Sequence, residues 1–134
     1  SLRQIEFALF DLSIHKAAPA LKADQIQATL NQIRAQYAVL ETTPYNRFQH
    51  SFSHIFAGGY AAGYYSYKWA EVLASDAFDR FENEGIFNTT TGKEFRQFIL
   101  AVGGKDTALD AFINFRGREP KIDALLRHQG WTNR

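Results

Sequence analysis

Apolar side chains recur at alternating steps of four and three residues along most of this sequence, and this spacing restricts the fold to one built from helices. The clearest case runs from Lys22 to Leu40, with apolar residues at positions 26, 30, 33, 37 and 40. Such spacing places one apolar stripe along an α-helix. No stretch alternates cleanly with period two, which is the pattern of a half-buried strand. The sequence therefore predicts a mainly α fold.

A first helix is predicted over residues 2–14, because Ile5, Leu9 and Leu12 lie on one face at this spacing. Pro19 follows and breaks the pattern, since proline has no N–H to continue a helix. Both this helix and the next are amphipathic, so each is expected to bury one face.

A longer helix is predicted from Tyr60 to Glu84, with Gly85 as a suitable residue to end it. Its apolar residues lie on more than one side, which is typical of a helix buried inside a larger body. Three shorter helices are expected after it, and the residues expected to start them are Thr91 (with Glu94 as a capping box), Asp106 and Pro120.

The composition is that of a folded and charge-balanced chain. Hydrophobic residues make up 46% of its 134 residues, which is enough to build a core and argues against bulk disorder. The formal net charge is +1 and charges of both signs alternate, so no nucleic-acid partner is expected. Arg116, Arg118 and Lys121 form a local basic cluster, which we expect to fix chain ends or interfaces.

Features of exported and membrane proteins are missing from the sequence. Cysteine is absent, which excludes disulfides and thiolate metal sites. No apolar run approaches the ~20 residues that cross a bilayer, so no membrane partner is expected. No signal peptide is visible, and we expect a cytoplasmic protein. The sequence begins with Ser1 and contains no methionine, which suggests that the natural chain starts earlier.

Four of the six tyrosines lie between residues 60 and 67. On a continuous helix, Tyr60, Tyr64 and Tyr67 would fall within an arc of about 60°, with Tyr65 elsewhere. A phenol with an ordinary pKa near ~10 stays protonated at neutral pH and can donate to a developing oxyanion. Tyrosine rings also pack readily in a core. The pattern therefore leaves two interpretations open, catalysis by these phenols and core packing.

Just before the tyrosines lie His54 and the pair Gly58-Gly59. Paired glycines permit a ligand to approach the backbone closely and allow a loop to move. Glycine pairs are also common in ordinary tight turns. The pattern predicts either a ligand-binding loop at a helix entrance or a turn beside an ordinary histidine.

A metal site formed by this chain alone is not expected. None of the four histidines is followed by glutamate, so the zinc motif H-E-x-x-H is absent. His50 and His54 are four residues apart and would share one face of a helix, but catalytic zinc usually needs a third protein ligand. We therefore expect two ordinary histidines.

The run from Phe52 to Trp69, FSHIFAGGYAAGYYSYKW, resembles the family of zinc metallopeptidases that includes oligopeptidase A, dipeptidyl carboxypeptidase and thimet oligopeptidase. Its distinctive parts are His-x-x-x-Gly-Gly-Tyr and the Tyr-Tyr-x-Tyr that follows. Residues 3–15, residues 115–121 and the closing Leu-Leu-Arg-His-Gln-Gly resemble the same family. The resemblance covers essentially the whole chain, and its bacterial oligopeptidase A branch is nearest.

The resemblance implies that residues 1–134 are a single helical C-terminal segment of a zincin-like oligopeptidase catalytic domain. In that family zinc is held by the H-E-x-x-H histidines and a downstream glutamate, all of which precede the part matched here. Zinc is therefore the implied cofactor of the full-length enzyme, and this chain alone is expected to be inactive. The implied partners are short peptide substrates and the N-terminal remainder of the same enzyme.

The resemblance also implies roles for individual residues in zinc-dependent peptide hydrolysis. Tyr67 and Tyr64 match tyrosines over the active-site channel and are the implied catalytic residues, which donate to the oxyanion. The implied substrate-binding residues are His54, Gly58, Gly59 and Tyr60. No metal ligand is implied within this chain.

The residues by themselves also fit a second hypothesis. A stand-alone helical module could use an aromatic groove to bind a peptide or a partner helix without catalysis. A longer polypeptide with H-E-x-x-H upstream would support the peptidase, whereas a natural reading frame that begins near residue 1 would favour the module.

Overall fold

The computed structural model describes residues 2–17 and 19–132. The regular elements among these residues are helices and none is a strand, which confirms the mainly α prediction. The elements in chain order are α1 (Leu2–His15), α2 (Ala23–Tyr37), a 3₁₀ turn (Phe48–His50), α3 (Ser53–Phe56), α4 (Ser66–Glu84), α5 (Thr89–Phe95), a π-helical turn (Arg96–Leu100), α6 (Ala108–Arg116) and α7 (Asp123–His128). The chain divides into two compact units, one up to Lys68 and one from Trp69 onward. Within the described ranges, no helix is both long and apolar enough to cross a membrane.

In the first unit, α1 and α2 pack against each other around an aromatic core. Phe10 of α1 and Leu30 of α2 are fully buried at its centre. The other buried members of this core are Phe7, Ala8, Phe52, Ile55 and Tyr64. Burial of these side chains is the main driving force that holds the unit together.

The buried side of α1 differs from the predicted one. Ile5, Leu9 and Leu12 are only half-buried in this unit, whereas Phe10 and Asp11 are fully buried. Aromatic rings remove more apolar surface from water than branched aliphatic side chains do, so the side that carries them is the more favourable one to bury. The prediction of the helix was right, and the prediction of its core face was wrong.

α2 ends at Tyr37, before the predicted end at Leu40, whose side chain is 80% exposed. Arg34, in the last turn, donates to Glu6 of α1 at 2.9 Å and to Asn46 at 3.1 Å. These hydrogen bonds draw the following segment back beside α1, which a longer helix would prevent. A tertiary contact therefore ends α2 before its apolar pattern does.

α4 begins at Ser66 and not at the predicted Tyr60. The residues between them form turns, and Ala62 has a φ of +55°. That left-handed conformation cannot continue into a right-handed helix and is unfavourable for a residue with a side chain. Asp11 stabilises it by accepting hydrogen bonds from the backbone N–H groups of Ala62 and Tyr64, at 2.8 and 2.9 Å.

In the second unit, α4 continues to its predicted end at Glu84 and packs near α6 around phenylalanine rings. Phe112 and Phe115 of α6 are buried together with Ala77 of α4. The partly buried residues around them are Leu73, Phe81, Phe95, Phe98 and Ile99. The second unit therefore has an apolar core of its own.

The start of α5 is set by Asn88, whose side-chain oxygen accepts hydrogen bonds from two backbone N–H groups of the first turn. The predicted capping box of Thr91 and Glu94 is wrong. The Thr91 hydroxyl donates instead to Glu84, and Glu94 accepts from an arginine of α4. Both side chains have tertiary partners, which leaves the cap to an asparagine that suits it equally well.

α6 and α7, unlike α5, begin later than predicted. Thr107 caps α6 in place of Asp106, through a hydrogen bond of 3.1 Å from a backbone N–H of the first turn. α7 begins at Asp123, so Pro120 lies outside its first turn. The intervening Lys121 donates its backbone N–H to a carboxylate of α4 at 2.7 Å, which holds this stretch in a non-helical conformation.

The basic residues between 116 and 121 surround one buried carboxylate, Asp76 of α4. Arg118 donates to it at 2.6 and 2.7 Å, and Arg116 donates at 3.1 Å. Burial raises the pKa of Asp76, but the hydrogen bonds from Arg118 and from the Lys121 backbone outweigh it and hold the pKa below its usual range. The basic cluster thus fixes the segment after α6 to α4.

Candidate functional site

The predicted catalytic and substrate-binding rings meet in the first unit. His54 lies in α3, Tyr60 and Tyr64 lie in the following loop, and Tyr67 lies in the first turn of α4. The Tyr67 ring centre is 5.1 Å from that of Tyr60 and 5.0 Å from that of Tyr64. The His54 ring centre is 5.9 to 6.3 Å from the three tyrosine ring centres. We call these four residues the tyrosine cluster.

The rings are brought together by turns in the chain and not by the shared helix face that the periodicity predicted. Tyr60 and Tyr64 precede α4, so they share no helix face with Tyr67, and the helix-face explanation is wrong. Turns in the segment 57–65, which we call the tyrosine loop, bring the rings of Tyr60 and Tyr64 beside the ring of Tyr67. Tyr65 is 51% exposed, and no ring contact joins it to the cluster in the part of the chain that the structure describes.

Burial divides the tyrosine cluster into a core residue and accessible ones. Tyr64 is only 8% exposed, and its ring packs edge-on against that of Phe52 at 4.9 Å. Tyr60 and Tyr67 are each 38% exposed. Tyr64 therefore packs in the core, as the packing interpretation predicted, while the rings of Tyr60 and Tyr67 are accessible to solvent.

The electrostatics of the cluster keep Tyr67 protonated. Side-chain hydrogen bonding with Tyr60 raises the pKa of Tyr67 above its usual value, and partial desolvation and the neighbouring phenols act in the same direction. A phenol with a raised pKa remains a hydrogen-bond donor at neutral and mildly alkaline pH. Tyr67 is therefore a neutral phenol at ordinary pH, and its side chain is hydrogen-bonded with that of Tyr60.

The start of the tyrosine loop is bonded tightly to α3. The Gly58 N–H donates to the Ser53 carbonyl at 2.9 Å, and the Tyr60 N–H donates to the His54 carbonyl at 3.0 Å. A side chain at Gly58 would place its Cβ 2.9 Å from the backbone of His54, and Gly59 has a φ of +78°. The glycine pair is therefore required for a compact turn, and this turn sets the position of His54 against the tyrosines.

Gly58→Ala is expected to lower the free energy of unfolding by about 1–3 kcal/mol, because the added methyl group forces backbone atoms apart in a packed turn. Urea unfolding of the purified chain measures this difference. Gly92→Ala is the control, since nothing lies within 4 Å of the position and it is helical. Alanine there should stabilise the chain by up to about 1 kcal/mol. Equal urea midpoints for Gly58→Ala and the wild type would contradict the close contact between position 58 and the backbone of His54.

Asp11 is a residue of this site that sequence reasoning missed. It is fully buried, and its two carboxylate oxygens accept the N–H groups of Ala62 and Tyr64 within the tyrosine loop. The available signal was a charged residue within an apolar stripe, because Phe7, Asp11 and Ile14 stand four and three residues apart. A buried carboxylate at such a position requires specific hydrogen-bond partners.

The histidine pair does not form a metal site among the described residues. His50 ends the 3₁₀ turn and His54 lies in α3, so the two do not share the face of one continuous helix. In residues 2–17 and 19–132, no three histidine, aspartate or glutamate side chains come together in a way that could hold a metal ion.

A groove of about 700 Å³ lies in the second unit, between α4, α5 and α6. Its lining is apolar and includes Phe78, Phe81 and Phe95. None of the predicted site residues lines it. The polar side chains predicted to contact a ligand lie instead in the tyrosine cluster.

The comparisons with known proteins agree with one another. Oligopeptidase A of Haemophilus influenzae is 56% identical over 132 residues, which are 98% of this chain and 19% of the relative. Oligopeptidase A of Escherichia coli is 54% identical over 96% of this chain and 19% of its own length. Probable cytosolic oligopeptidase A of Arabidopsis thaliana is 49% identical over 97% of this chain and 19% of its own length. The chain thus spans about a fifth of the length of these relatives.

The sequence profile of peptidase family M3 matches residues 1–131, which include every residue of the tyrosine cluster and of the tyrosine loop. The match and the relatives also confirm the resemblance to the oligopeptidase A group that the sequence indicated. The chain belongs to peptidase family M3.

Proposed function

We propose that this chain is the C-terminal part of a zinc-dependent oligopeptidase that hydrolyses peptide bonds in short peptides. Its contribution is the tyrosine loop and the tyrosine cluster, which bind substrate and stabilise the oxyanion. The observation that carries the proposal is the meeting of three phenols and an imidazole, with ring centres 5.0 to 6.3 Å apart, in a member of a peptidase family. The relatives reported above are themselves oligopeptidases by name.

Tyr67 is the residue that we assign to oxyanion stabilisation. Its ring is accessible and its raised pKa keeps the hydroxyl proton in place. When water attacks a peptide carbonyl, the oxygen gains negative charge, and a neutral donor held at that position stabilises the transition state. Tyr64 is assigned as the second catalytic tyrosine, and its buried ring also supports Tyr67 from 5.0 Å.

The substrate-binding residues that we assign are His54, Gly58, Gly59 and Tyr60. His54 and Tyr60 are exposed beside Tyr67, so their polar groups can bond the peptide backbone while Tyr67 faces the scissile carbonyl. The two glycines present no side chain, which allows an extended peptide to approach the loop backbone closely. Movement of the loop onto the substrate is part of the same proposal.

Zinc is the cofactor that we propose for the complete enzyme. The described residues of this chain do not fit a zinc site, because they bring no three suitable ligands together. Following the family resemblance, we assign the zinc ligands to the N-terminal remainder of the polypeptide, which is this chain's proposed partner. Zinc bound there would polarise the substrate carbonyl and lower the pKa of a bound water.

The complete polypeptide that contains this chain tests the proposal directly. It should cleave a short fluorogenic peptide, lose that activity to a chelator and regain it with added zinc. Specific binding of the same peptide without any cleavage in the presence of zinc would favour the alternative function, a helical module that binds peptides. Membership of a peptidase family favours hydrolysis. The cytoplasmic location and the expectation of no nucleic-acid or membrane partner remain predictions from the sequence.

The purified 134-residue chain alone is expected to show no peptidase activity, because the cluster donates hydrogen bonds but does not generate a nucleophile. The measurement is cleavage of the same fluorogenic peptide, with and without zinc, followed by mass spectrometry of the products. Zinc-dependent cleavage by this chain would contradict the assignment and would make His50 and His54 candidate ligands.

A further inference from the structure

Asp11 is a fully buried carboxylate at the base of the tyrosine loop. Its Oδ1 accepts the Ala62 N–H at 2.8 Å, and its Oδ2 accepts the Tyr64 N–H at 2.9 Å. His15 Nδ1 lies 2.7 Å from the same Oδ1. Both oxygens are therefore engaged, and two of the contacts join α1 to a segment more than 50 residues further along the chain.

The loop backbone is shaped to receive an anion at this point. Ala62 has a φ of +55°, and this conformation turns the N–H groups of Ala62 and Tyr64 toward the same carboxylate. Converging N–H groups of this kind form a concave nest that favours negative charge. Hydrogen bonds to an ionised acceptor are roughly twice as strong as neutral ones, and burial strengthens them further.

We propose that Asp11 is a positioning residue that sets the tyrosine loop for catalysis, an inference that rests on the proposed function. Its bond to the Tyr64 backbone fixes the ring that lies 5.0 Å from Tyr67 and 5.9 Å from His54. Its bond to Ala62 holds the unfavourable left-handed residue between the substrate-binding and catalytic tyrosines. Asp11 acts through these residues and touches no substrate.

The test is Asp11→Asn in the complete enzyme, loaded with zinc. An amide offers one acceptor oxygen, so one loop N–H loses its partner and the negative charge disappears. We expect kcat to fall by about 10-fold or more with KM changed less, because small displacements of positioned groups cost rate steeply. Hydrogen exchange of the Ala62 and Tyr64 amides should accelerate by a similar factor.

Glu6→Gln is the matched control, since Glu6 is a second buried carboxylate on α1 but bonds Arg34 of α2 and not the loop. It should lower stability without changing kcat or amide exchange at residues 62 and 64. Equal effects of the two substitutions on these readouts would overturn a positioning role and leave only a structural one.

Two further variants keep the inference testable if Asp11→Asn folds poorly. Lactic acid in place of Ala62 exchanges the N–H for an ester oxygen and leaves Asp11 and the core intact, so kcat should fall again. Ala62→Gly relieves the left-handed conformation and should restore part of the rate when combined with Asp11→Asn. An unchanged kcat with the ester at position 62 would overturn the proposal.

Tyr67→Phe, measured in parallel, separates the two proposals. A large loss of kcat in Tyr67→Phe together with wild-type kinetics and exchange in Asp11→Asn would overturn the role of Asp11 alone. Wild-type kinetics in Tyr67→Phe with accelerated exchange in Asp11→Asn would overturn the proposed role of the tyrosines and support the fixing of the loop by Asp11.

Discussion

Tyr67→Phe in the complete enzyme is expected to lower kcat and kcat/KM together, by about 10²–10³-fold, with KM little altered. The substitution removes one hydroxyl and keeps the ring, so the packing against Tyr60 and Tyr64 is preserved. A donor that acts only when charge develops on the carbonyl oxygen contributes to the transition state and not to ground-state binding. Steady-state kinetics on one short peptide, with zinc content checked for each variant, measures the effect.

Two other tyrosines supply the controls for this measurement. Tyr65→Phe should be kinetically silent, because Tyr65 is exposed and outside the tyrosine cluster. Tyr60→Phe should mainly raise KM, since Tyr60 is assigned to substrate binding. Tyr60→Phe also removes the hydrogen bonding that raises the pKa of Tyr67. Any additional fall in kcat should therefore appear first at alkaline pH.

The pattern of the three variants decides the role of Tyr67. A rise in KM with kcat preserved would make Tyr67 a ground-state binding residue. Near-wild-type kinetics with a loss of about 1 kcal/mol in stability would make it a packing residue with a buried hydrogen bond. Equal losses in Tyr65→Phe and Tyr67→Phe would contradict the separation of the two rings seen in the structure.

Asp76→Ala is expected to destabilise the chain by about 3–5 kcal/mol, which is the usual scale for breaking a buried ion pair from one side. Asp76 is 1% exposed, and its loss leaves Arg116 and Arg118 partly buried without this partner. The Lys121 backbone N–H loses its acceptor as well. Urea unfolding of the wild type and of Asp76→Ala measures the difference in the free energy of unfolding. A loss smaller than about 1 kcal/mol would contradict the prediction.

Asp24→Ala is the matched control, because Asp24 is exposed in the first turn of α2. Its loss should cost no more than about 1 kcal/mol, the scale of a carboxylate at a helix N-terminus. A double-mutant cycle of Asp76→Ala with Arg118→Ala should show strong coupling, since residues in one network do not act additively. Purely additive effects would mean that the hydrogen bonds of Arg118 to Asp76 contribute little.

The contribution of Asp76 should also depend on pH. Its pKa in the folded chain lies below the ordinary 3.8, so the unfolded chain binds the proton more readily than the folded one. The stabilisation is therefore fully present above pH 3.8 and is lost as the pH falls through the folded-state pKa. The difference in stability between the wild type and Asp76→Asn should shrink below pH 3.8, and a constant difference down to strong acid would contradict this linkage.

The helical fold class and the family could be predicted from the sequence. The steps of three and four residues report a local property, because side chains at this spacing share one helix face whatever lies elsewhere. The regular elements among the described residues are helices for that reason, and α1, α2 and the end of α4 fall near their predicted places. The members of the tyrosine cluster lie within 14 positions of one another, from His54 to Tyr67, and the family resemblance made them candidate site residues.

The exact start of α4 and the residue that shapes the tyrosine loop were decided only by the tertiary structure. Apolar residues continue through residues 60–65, and Gly63 is the one local signal within them that weakens a helix. The turn depends on hydrogen bonds from Ala62 and Tyr64 to Asp11, across 51 and 53 positions of sequence. Hydrogen bonds to a buried carboxylate contribute more free energy than the modest helix preference of a few residues. The outcome depends on α1 and the tyrosine loop being packed together, so the local sequence does not predict it.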